Sequence, residues 1–353
     1  MTKLNIALIP PPLLLTPPTG YGGLERVVYD LGCALVANGD DVTLCAPSGS
    51  HIDGGKLLNT GISQERVDVD WVKCEADAYN IYASKLKEFD IVHDHSWFGF
   101  PYLTKYNNSN IKLLHTHHGH LNWDPTKVPP QLKTTNLVGI SDFMKREYES
   151  QGWGARYVYN GIDLNAYPFS DKKRTGLAYV GRISQFKNPD KAIRAAIDSD
   201  QHIDVIGGSF VDDMNYLNDI KKMCENSKGL ATLHLDLPHN EKVALVQSAR
   251  ACLVPSAFSE PYGLVATESM AMGTPVIAYN DGALKEVVGT SPLDRGGYIC
   301  DNYAAFAHNV KWLDEKQSPS PQMCRKRAEM FSREKMAENY RKLYVEIIEG
   351  GGW

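Results

Sequence analysis

Short apolar runs rich in β-branched residues alternate with amphipathic stretches along almost the whole chain. The apolar runs predict strands at 5–9, 41–45, 91–93, 112–115, 137–139, 177–180, 202–206, 231–235, 251–254 and 275–278. The stretches between them predict helices, among them 23–38, 187–198, 240–248 and 263–272. Because strands and helices alternate and several runs are continuously apolar, the pattern predicts an α/β fold whose parallel sheets carry helices on both faces.

A polar segment at 160–173 interrupts this alternation. It contains Asn-Gly, a proline and several polar residues, and the strand predicted at 177 then restarts the pattern. We therefore predict two Rossmann-like, doubly wound domains, 1–165 and 166–330, that face each other across a cleft. The carboxyl ends of the strands in such sheets are where ligands bind. The remaining residues, 331–353, belong to a charged helical pattern that runs over 323–349.

The composition excludes several classes of protein. Of the 353 residues, 43% are hydrophobic and 22% are charged, which is typical of globular proteins. The net charge of −5 argues against a nucleic-acid-binding protein. It does not exclude a local basic patch that contacts a membrane surface. Prolines at 10–12 break the apolar start, so we interpret it as a buried strand rather than a signal peptide. Seven scattered cysteines without CxxC spacing indicate reduced thiols and a cytoplasmic location.

The first candidate site is the segment GYGGLERVV, residues 20–28, between the first strand and the first helix. Gly22 and Gly23 allow the backbone to approach a ligand closely, and the helix that follows directs free N–H groups toward an anion. The segment lacks the spacing GxGxxG and a Walker lysine. An ordinary flexible loop explains this fragment equally well.

The second candidate is GRISQFKN, residues 181–188, between a strand and a helix of the second domain. Arg182 and Lys187 bracket this turn, where two cations can meet a diphosphate. An arginine offers a planar fork of donors and a lysine offers a point charge. A pair of solvated surface cations is the alternative, and the position at the carboxyl end of a strand favours a functional role.

The third and strongest candidate is SEPYGLVATES, residues 259–269. A proline keeps Glu260 out of the following helix, and the amides of Gly263 and Leu264 lie at the electropositive helix start. Glu268 follows eight residues after Glu260. Two carboxylates so spaced can bind hydroxyls at different places on one elongated ligand, such as a sugar and a ribose. The alternative is that one glutamate caps the helix and the other is simply exposed on it. The whole string is too specific for that explanation.

Histidines are concentrated in VHDHSW and HTHHGH, between residues 92 and 120. Strand alternation places His93 with His95, and His115 with His117, on one face each. The motif HExxH is absent and no cysteine lies nearby, which argues against a zinc site. Hydrogen bonding to a substrate, or a structural role, is favoured instead. The acidic run RVDVDWV around Asp68 and Asp70 alternates like an ordinary strand, and we interpret it as structural.

Taken in order, these segments resemble the retaining glycosyltransferase family 4 enzymes of the GT-B fold, over essentially the full length. Within that family the chain looks like the branch with the avilamycin-type sugar transferases. The resemblance is carried by GYGGLERVV, His118-Gly119, NGID at 160–163, GRISQFKN and EPYGLVATE. It implies transfer of a hexosyl group from a UDP- or GDP-sugar to an acceptor hydroxyl, with retention of configuration. It also implies a final helix that crosses back to the N-terminal domain, and no obligatory metal or other cofactor.

The resemblance also implies roles for individual residues. Gly22 and Gly23 would lie against the donor phosphates, and Arg182 and Lys187 would neutralise the diphosphate leaving group. Glu268 would bind the ribose hydroxyls. Glu260, with the amides of Gly263 and Leu264, would hold the sugar hydroxyls and the distal phosphate. Tyr262 stands where the family more often has Phe, and its hydroxyl could reach a ligand.

The resemblance places His118 near the reacting face of the sugar, with His117 as the fallback. The acceptor would be a carbohydrate, a small molecule or a lipid-linked hydroxyl compound, held by loops around Trp97 and Trp123. No motif in those loops identifies it. Two alternatives remain: a catalytically silent nucleotide-sugar-binding protein of the same fold, and a GT-B nucleotide-sugar epimerase. The four residues Arg182, Lys187, Glu260 and Glu268 together argue against a silent protein.

Overall fold

The computed structural model describes residues 2–20, 22–61, 69–107, 110–121, 136–172, 174–313 and 318–353. The chain divides into two compact units, each built on one parallel sheet. The N-terminal unit comprises Met1–Gly161 and Arg333–Trp353, and the C-terminal unit comprises Ile162–Ser332. The first limit therefore lies four residues before the predicted position at 165, and the second lies two residues after 330.

The sheet of the N-terminal unit has seven described strands, all parallel, in the order β3-β2-β1-β4-β5-β6-β7. The strands are β1 Asn5–Ile9, β2 Asp41–Ala46, β3 Lys56–Asn59, β4 Ile91–Asp94, β5 Leu113–His117, β6 Asn136–Gly139 and β7 Ala155–Tyr157. The described α-helices before residue 162 are α1 Gly23–Ala37, α2 Trp71–Tyr82, α3 Pro101–Asn107 and α4 Asp142–Ser150. The central strands β1, β4 and β5 are almost wholly buried, as continuously apolar runs require.

The sheet of the C-terminal unit has six described strands, also parallel, in the order β10-β9-β8-β11-β12-β13. These are β8 Leu177–Val180, β9 Ile203–Gly207, β10 Ala231–Leu235, β11 Cys252–Val254, β12 Val276–Tyr279 and β13 Gly297–Cys300. The helices are α5 Pro189–Asp198, α6 Met214–Glu225, α7 His239–Ser248, α8 Leu264–Ala271, α9 Leu284–Val288, α10 Tyr303–Lys311 and α11 Pro321–Glu329. Both sheets reverse their strand order at one point, between β1 and β4 and between β8 and β11, and such switch points open the crevice where ligands bind.

The end of the chain departs from the predicted single helix over 323–349. Helix α11 ends at Glu329 and a separate helix, α12, begins at Arg333 and ends at Ile348. Between them, Phe331 is buried and its carbonyl accepts a hydrogen bond from the amide of Ile162 at 3.1 Å. The hydrogen bond belongs to an isolated parallel bridge between Ile162 and Ser332, which lies between the two helices. Helix α12 belongs to the N-terminal unit, where Arg341 binds Asp40 through both carboxylate oxygens at 2.6 and 2.7 Å.

The acidic run around residue 70 is also not the strand that alternation predicts. Asp70 caps helix α2, because its carboxylate accepts a hydrogen bond from the amide of Lys73 at 3.0 Å. An aspartate at this position satisfies an amide that the helix itself leaves free. Asp68 lies outside the described residues. Elsewhere in the described residues, no helix has the length and apolar character needed to cross a membrane.

Candidate functional site

In the C-terminal unit, two loops at the β8–β11 switch point bring Lys187 and Glu260 together. The Nζ atom of Lys187 lies 2.5 Å from Oε2 of Glu260 and 4.4 Å from the centroid of the Phe258 ring. Glu260 is 7% exposed. The loops are also joined through their backbones, because the amide of Ala257 donates to the carbonyl of Phe186 at 2.9 Å. The structure therefore places a cation and a carboxylate from two predicted motifs at one edge of the sheet.

The backbone around Glu260 is held by the loop after β12, which sequence reasoning missed. Oδ2 of Asp281 accepts hydrogen bonds from the amides of Phe258 and Glu260 at 3.0 and 3.1 Å. The amide of Ala283 donates to the carbonyl of Glu260 at 2.8 Å. Between them, Gly282 has φ +57°, and a Cβ there would lie 2.2 Å from the Glu260 carbonyl oxygen. The Asn-Asp-Gly turn signal in the sequence could have marked this loop, but not its contact with Glu260.

Gly263 and Leu264 begin helix α8, as the motif predicts. Gly263 is the N-cap with φ +96°, a backbone conformation that favours glycine, and a Cβ there would also force the Leu284 side chain, 2.7 Å away at Cδ2, to shift. The first amides of a helix have no partner within it and form an electropositive site. This helix start adjoins Glu260 in the chain.

Tyr262 requires a correction. Its side chain is 2% exposed, its hydroxyl accepts a hydrogen bond from Thr267 at 3.2 Å, and its ring packs edge-on against Phe331. Burial raises the pKa of this phenol above its ordinary value. The sequence suggested that this hydroxyl could reach a ligand, whereas in the structure it points into the interior. The ring anchors the start of helix α8 instead.

Glu268 and Arg182 lie at other places on the same unit. Glu268 lines a small pocket together with Val180, Val243 and Val265, and Nζ of Lys242 lies 4.0 Å from its Oε2. Sequence reasoning did not single out Lys242. Arg182 follows β8 and is 42% exposed in its side chain, and its Nη1 lies 3.2 Å from Oδ2 of Asp212. Glu268 and Arg182, which are both predicted to bind the donor, are thus each paired with an oppositely charged side chain.

In the N-terminal unit, Gly22 and Gly23 mark the start of helix α1, after β1. Gly22 is the N-cap and Gly23 the first helical residue. A Cβ on Gly22 would lie 2.7 Å from Cβ of Pro18, which explains the glycine by close approach of the backbone. The carboxylate of Glu25 is buried in the first turn.

The histidines form a cluster at the carboxyl ends of β4 and β5, with the alternation that the sequence predicts. The rings of His93 and His95 lie tilted against each other with centroids 3.9 Å apart, and the centroids of His115 and His117 lie 5.8 Å apart. Nδ1 of His95 lies 2.8 Å from Nε2 of His118, which follows β5. Among the described residues, no group of three or more histidine, cysteine, aspartate or glutamate side chains is arranged to hold a metal ion.

Other contacts orient this cluster. Nδ1 of His93 lies 2.6 Å from the Tyr344 hydroxyl on α12, and its Nε2 lies 2.8 Å from the Thr116 hydroxyl. The loop after β4 is held by Glu75, whose two carboxylate oxygens accept hydrogen bonds from the amides of Trp97 and Phe98 at 2.8 and 2.9 Å. No motif in the sequence marks Glu75. Trp97 packs edge-on against His117, and Trp123 lies outside the described residues.

Three buried imidazoles and the half-buried ring of His118 predict a loss of stability in acid. Burial lowers the pKa of His93, His95 and His117 well below the ordinary value, and it lowers that of His118 to about 3. The unfolded chain binds protons at these positions below about pH 6.5, whereas the folded chain does not. Unfolding therefore takes up protons, and the free energy of unfolding falls as the pH falls, by up to about 1.4 kcal/mol per pH unit for each histidine.

Two buried carboxyl groups oppose this trend. Burial raises the pKa of Glu25 and Glu75 to about 7, so each favours the folded state more as the pH falls from 7 toward 4.5. Four histidines outweigh two glutamates, and we expect the N-terminal unit to be less stable at pH 5.5 than at pH 7.5. Urea unfolding followed by tryptophan fluorescence at both pH values checks this. Equal or greater stability at pH 5.5 would contradict the assignment of neutral buried histidines.

Two family models together match the chain from residue 21 to residue 331. The model described as Glycosyltransferase Family 4 matches 21–166, and the model described as Glycosyl transferases group 1 matches 165–331. The D-inositol 3-phosphate glycosyltransferase of Corynebacterium diphtheriae is 34% identical over 325 residues, which cover 74% of this chain and 75% of that protein.

Solved structures show the same fold. AviGT4, a glycosyltransferase involved in avilamycin A biosynthesis, superposes with a TM-score of 0.72 at 21% identity, over 99% of both chains. Anabaena Alr3699/HepE, solved in complex with UDP-glucose, superposes with a TM-score of 0.74 at 13% identity, over 97% of this chain and 100% of that one.

Proposed function

Because this chain belongs to glycosyltransferase family 4 and is a glycosyltransferase, we propose that it transfers a hexosyl group from a nucleoside-diphosphate sugar to an acceptor hydroxyl. The donor is a UDP- or GDP-sugar, the configuration at the anomeric carbon is retained, and no metal ion is obligatory. The acceptor is a carbohydrate, a small molecule or a lipid-linked hydroxyl compound.

The observation that carries this proposal is the Lys187–Glu260 pair at the β8–β11 switch point. Breaking a glycosyl–phosphate bond builds negative charge on the diphosphate and positive charge on the sugar. A fixed ammonium and a fixed carboxylate 2.5 Å apart offer one group to each of these charges. Without a bound sugar donor the two side chains form an ion pair, so the negative charge of the mostly buried Glu260 is neutralised by Lys187.

The donor class is supported by the rest of this unit and by a structural neighbour. The amides of Gly263 and Leu264 begin helix α8 next to Glu260 and suit a phosphate group. Glu268 lines a pocket in which its carboxylate can accept hydrogen bonds from ribose hydroxyls. HepE was solved with UDP-glucose, which favours a UDP-hexose. Lys187 and Arg182 supply the positive charge that a metal ion supplies in other transferases.

Retention follows from attack of the acceptor on the same face of the sugar from which the diphosphate leaves. The acceptor oxygen bonds to the anomeric carbon as the bond to phosphate breaks, and a phosphate oxygen takes the acceptor proton. Glu260 and His118 would contact the sugar rather than form a covalent bond to it. In this scheme Gly22 and Gly23, at the start of helix α1, would contact the donor phosphates.

Thermal-shift binding tests the donor assignment. The protein is heated with UDP-, GDP-, ADP- and dTDP-sugars, each with and without chelator. A donor at a hundred times its Kd stabilises the folded state by about 2.7 kcal/mol, which is readily measured. We expect one nucleotide class, UDP or GDP, to raise Tm equally in both conditions, and NMR of the product to show the anomeric configuration of the donor. A shift that requires metal, or inversion at the anomeric carbon, would overturn the proposal.

A further inference from the structure

His95 and His118 share a hydrogen bond whose direction determines what His118 can do. Nδ1 of His95 lies 2.8 Å from Nε2 of His118, so one ring donates and the other accepts. A neutral imidazole carries one N–H group and one lone pair. If His95 donates, the proton of His118 sits on Nδ1. If His118 donates, its Nδ1 has only a lone pair.

The surroundings of His95 decide between the two arrangements. His95 is 1% exposed, and its Nε2 has no hydrogen-bond partner among the described residues. If His118 donated to Nδ1 of His95, the proton of His95 would lie on this buried Nε2 without an acceptor. A buried N–H group left unpaired is rare and costs about 1–3 kcal/mol. If His95 donates to His118, Nε2 of His95 carries only a lone pair. A buried lone pair without a partner costs less than a buried N–H group without one.

The His95 ring is packed among its neighbours, and Nδ1 is the nitrogen that it turns toward His118. Its backbone amide donates to the carbonyl of Ile9 at 2.9 Å, at the β1–β4 switch point. Its ring lies tilted against that of His93, with centroids 3.9 Å apart, and both nitrogens of His93 lie within hydrogen-bond distance of the Tyr344 and Thr116 hydroxyls. The donor to His118 is therefore part of a packed core rather than of a mobile loop.

We propose that His95 is a positioning residue that holds His118 as the Nδ1–H tautomer, with Nε2 occupied as an acceptor. His118 then offers a ligand a neutral N–H donor and no free basic nitrogen. Its action on a sugar rests on the proposed function: His118 donates a hydrogen bond to a sugar oxygen and does not act as a general base. The acceptor proton must therefore leave by another route, such as the departing phosphate.

The tautomer is measurable without any substrate. Long-range proton–nitrogen NMR of protein labelled with ¹⁵N-histidine distinguishes a protonated from an unprotonated ring nitrogen, and the loss of signals in His118→Asn assigns them. At pH 7.5 we expect Nδ1 of His118 to carry the proton. A proton on Nε2 of His118 in the unmodified protein would overturn the proposal, whatever the donor sugar proves to be.

Two variants with side chains of nearly equal size distinguish an effect of the His118 tautomer from an effect of altered packing. In His95→Asn the side-chain amide can donate from a position near that of Nδ1, whereas in His95→Asp the carboxylate can only accept. We expect the first to keep the Nδ1–H tautomer of His118 and the second to convert it to the Nε2–H tautomer. With a donor sugar identified, kcat should be at least about 10-fold lower in His95→Asp than in His95→Asn, and KM should be similar.

Two outcomes of these variants contradict the proposal. One is an unchanged His118 tautomer in a folded His95→Asp protein, and the other is equal kcat in both variants despite different tautomers. If His95→Asp fails to fold, the spectra of the unmodified protein and of His95→Asn still decide the tautomer. If no nucleotide sugar binds, the proposed function fails while the NMR result stands on its own.

Discussion

Replacing Lys187 by methionine is expected to lower the kcat of sugar transfer by about 100- to 1000-fold while the fold survives. In other enzymes, removing one hydrogen-bond donor that stabilises negative charge in the transition state has such effects, equivalent to about 2.7–4 kcal/mol. Methionine keeps an unbranched side chain that is one atom shorter, so the change removes the ammonium together with its contact with the Phe258 ring. Initial rates and circular dichroism of the purified variant measure both effects.

The variant should also unfold more easily, because Glu260 loses its cation. Breaking a fully buried pair costs about 3–5 kcal/mol, and this pair is partly exposed, so a smaller loss is expected. Lys222→Met is the matched control, since Lys222 pairs with Asp219 at 3.8 Å on an exposed helix face of the same unit. The double variant Lys187→Met/Glu260→Gln should recover stability without activity. Near-normal turnover in Lys187→Met would refute the assignment.

Gly282→Ala is expected to abolish donor binding although Gly282 itself need not touch the donor. A Cβ there would lie 2.2 Å from the carbonyl oxygen and 2.4 Å from the nitrogen of Glu260. Neither backbone atom can move without displacing the carboxylate that faces Lys187. We expect the thermal shift produced by the donor to disappear, and the free energy of unfolding to fall by about 1–3 kcal/mol from overpacking alone.

Gly229→Ala separates this contact from backbone strain. Gly229 also has a positive φ, +87° against +57° at Gly282, but a Cβ there would meet no atom within 4 Å. Both variants carry the cost of a left-handed residue, about 1–2 kcal/mol, and only one displaces Glu260. Equal donor binding by the two variants would show that the loop after β12 does not position Glu260.

The strands that the sequence failed to predict share one property. β3, β7 and β13 are the outermost strands at three of the four sheet edges. An edge strand has one neighbour, and its residues are less buried than those of a central strand, as the exposed run of β3 shows. Such strands lack the continuous apolar run that identifies a buried parallel strand. The central strands of both sheets were found for the opposite reason.

The candidate site divides in a similar way. Lys187, Glu260 and Gly263 could be found because cations, carboxylates and glycines at strand ends form recognisable strings. Asp281 and Glu75 could not, since each acts on backbone amides about 20 residues away in the chain, and a single acidic residue carries no sign of such a partner. The burial of Tyr262 was equally invisible, because a tyrosine beside a motif has the same sequence whether its hydroxyl faces a ligand or Thr267.

By itself, the sequence determined the α/β class, the two parallel sheets and the glycosyltransferase family, because these depend on periodicity and on local strings of residues. Only the tertiary structure decided which charges meet, which nitrogen of His95 faces His118 and which loop holds Glu260. Those facts depend on distances between residues that are tens of positions apart. Hydrogen bonds and ion pairs act over about 3 Å, and only the folded backbone brings such residues that close.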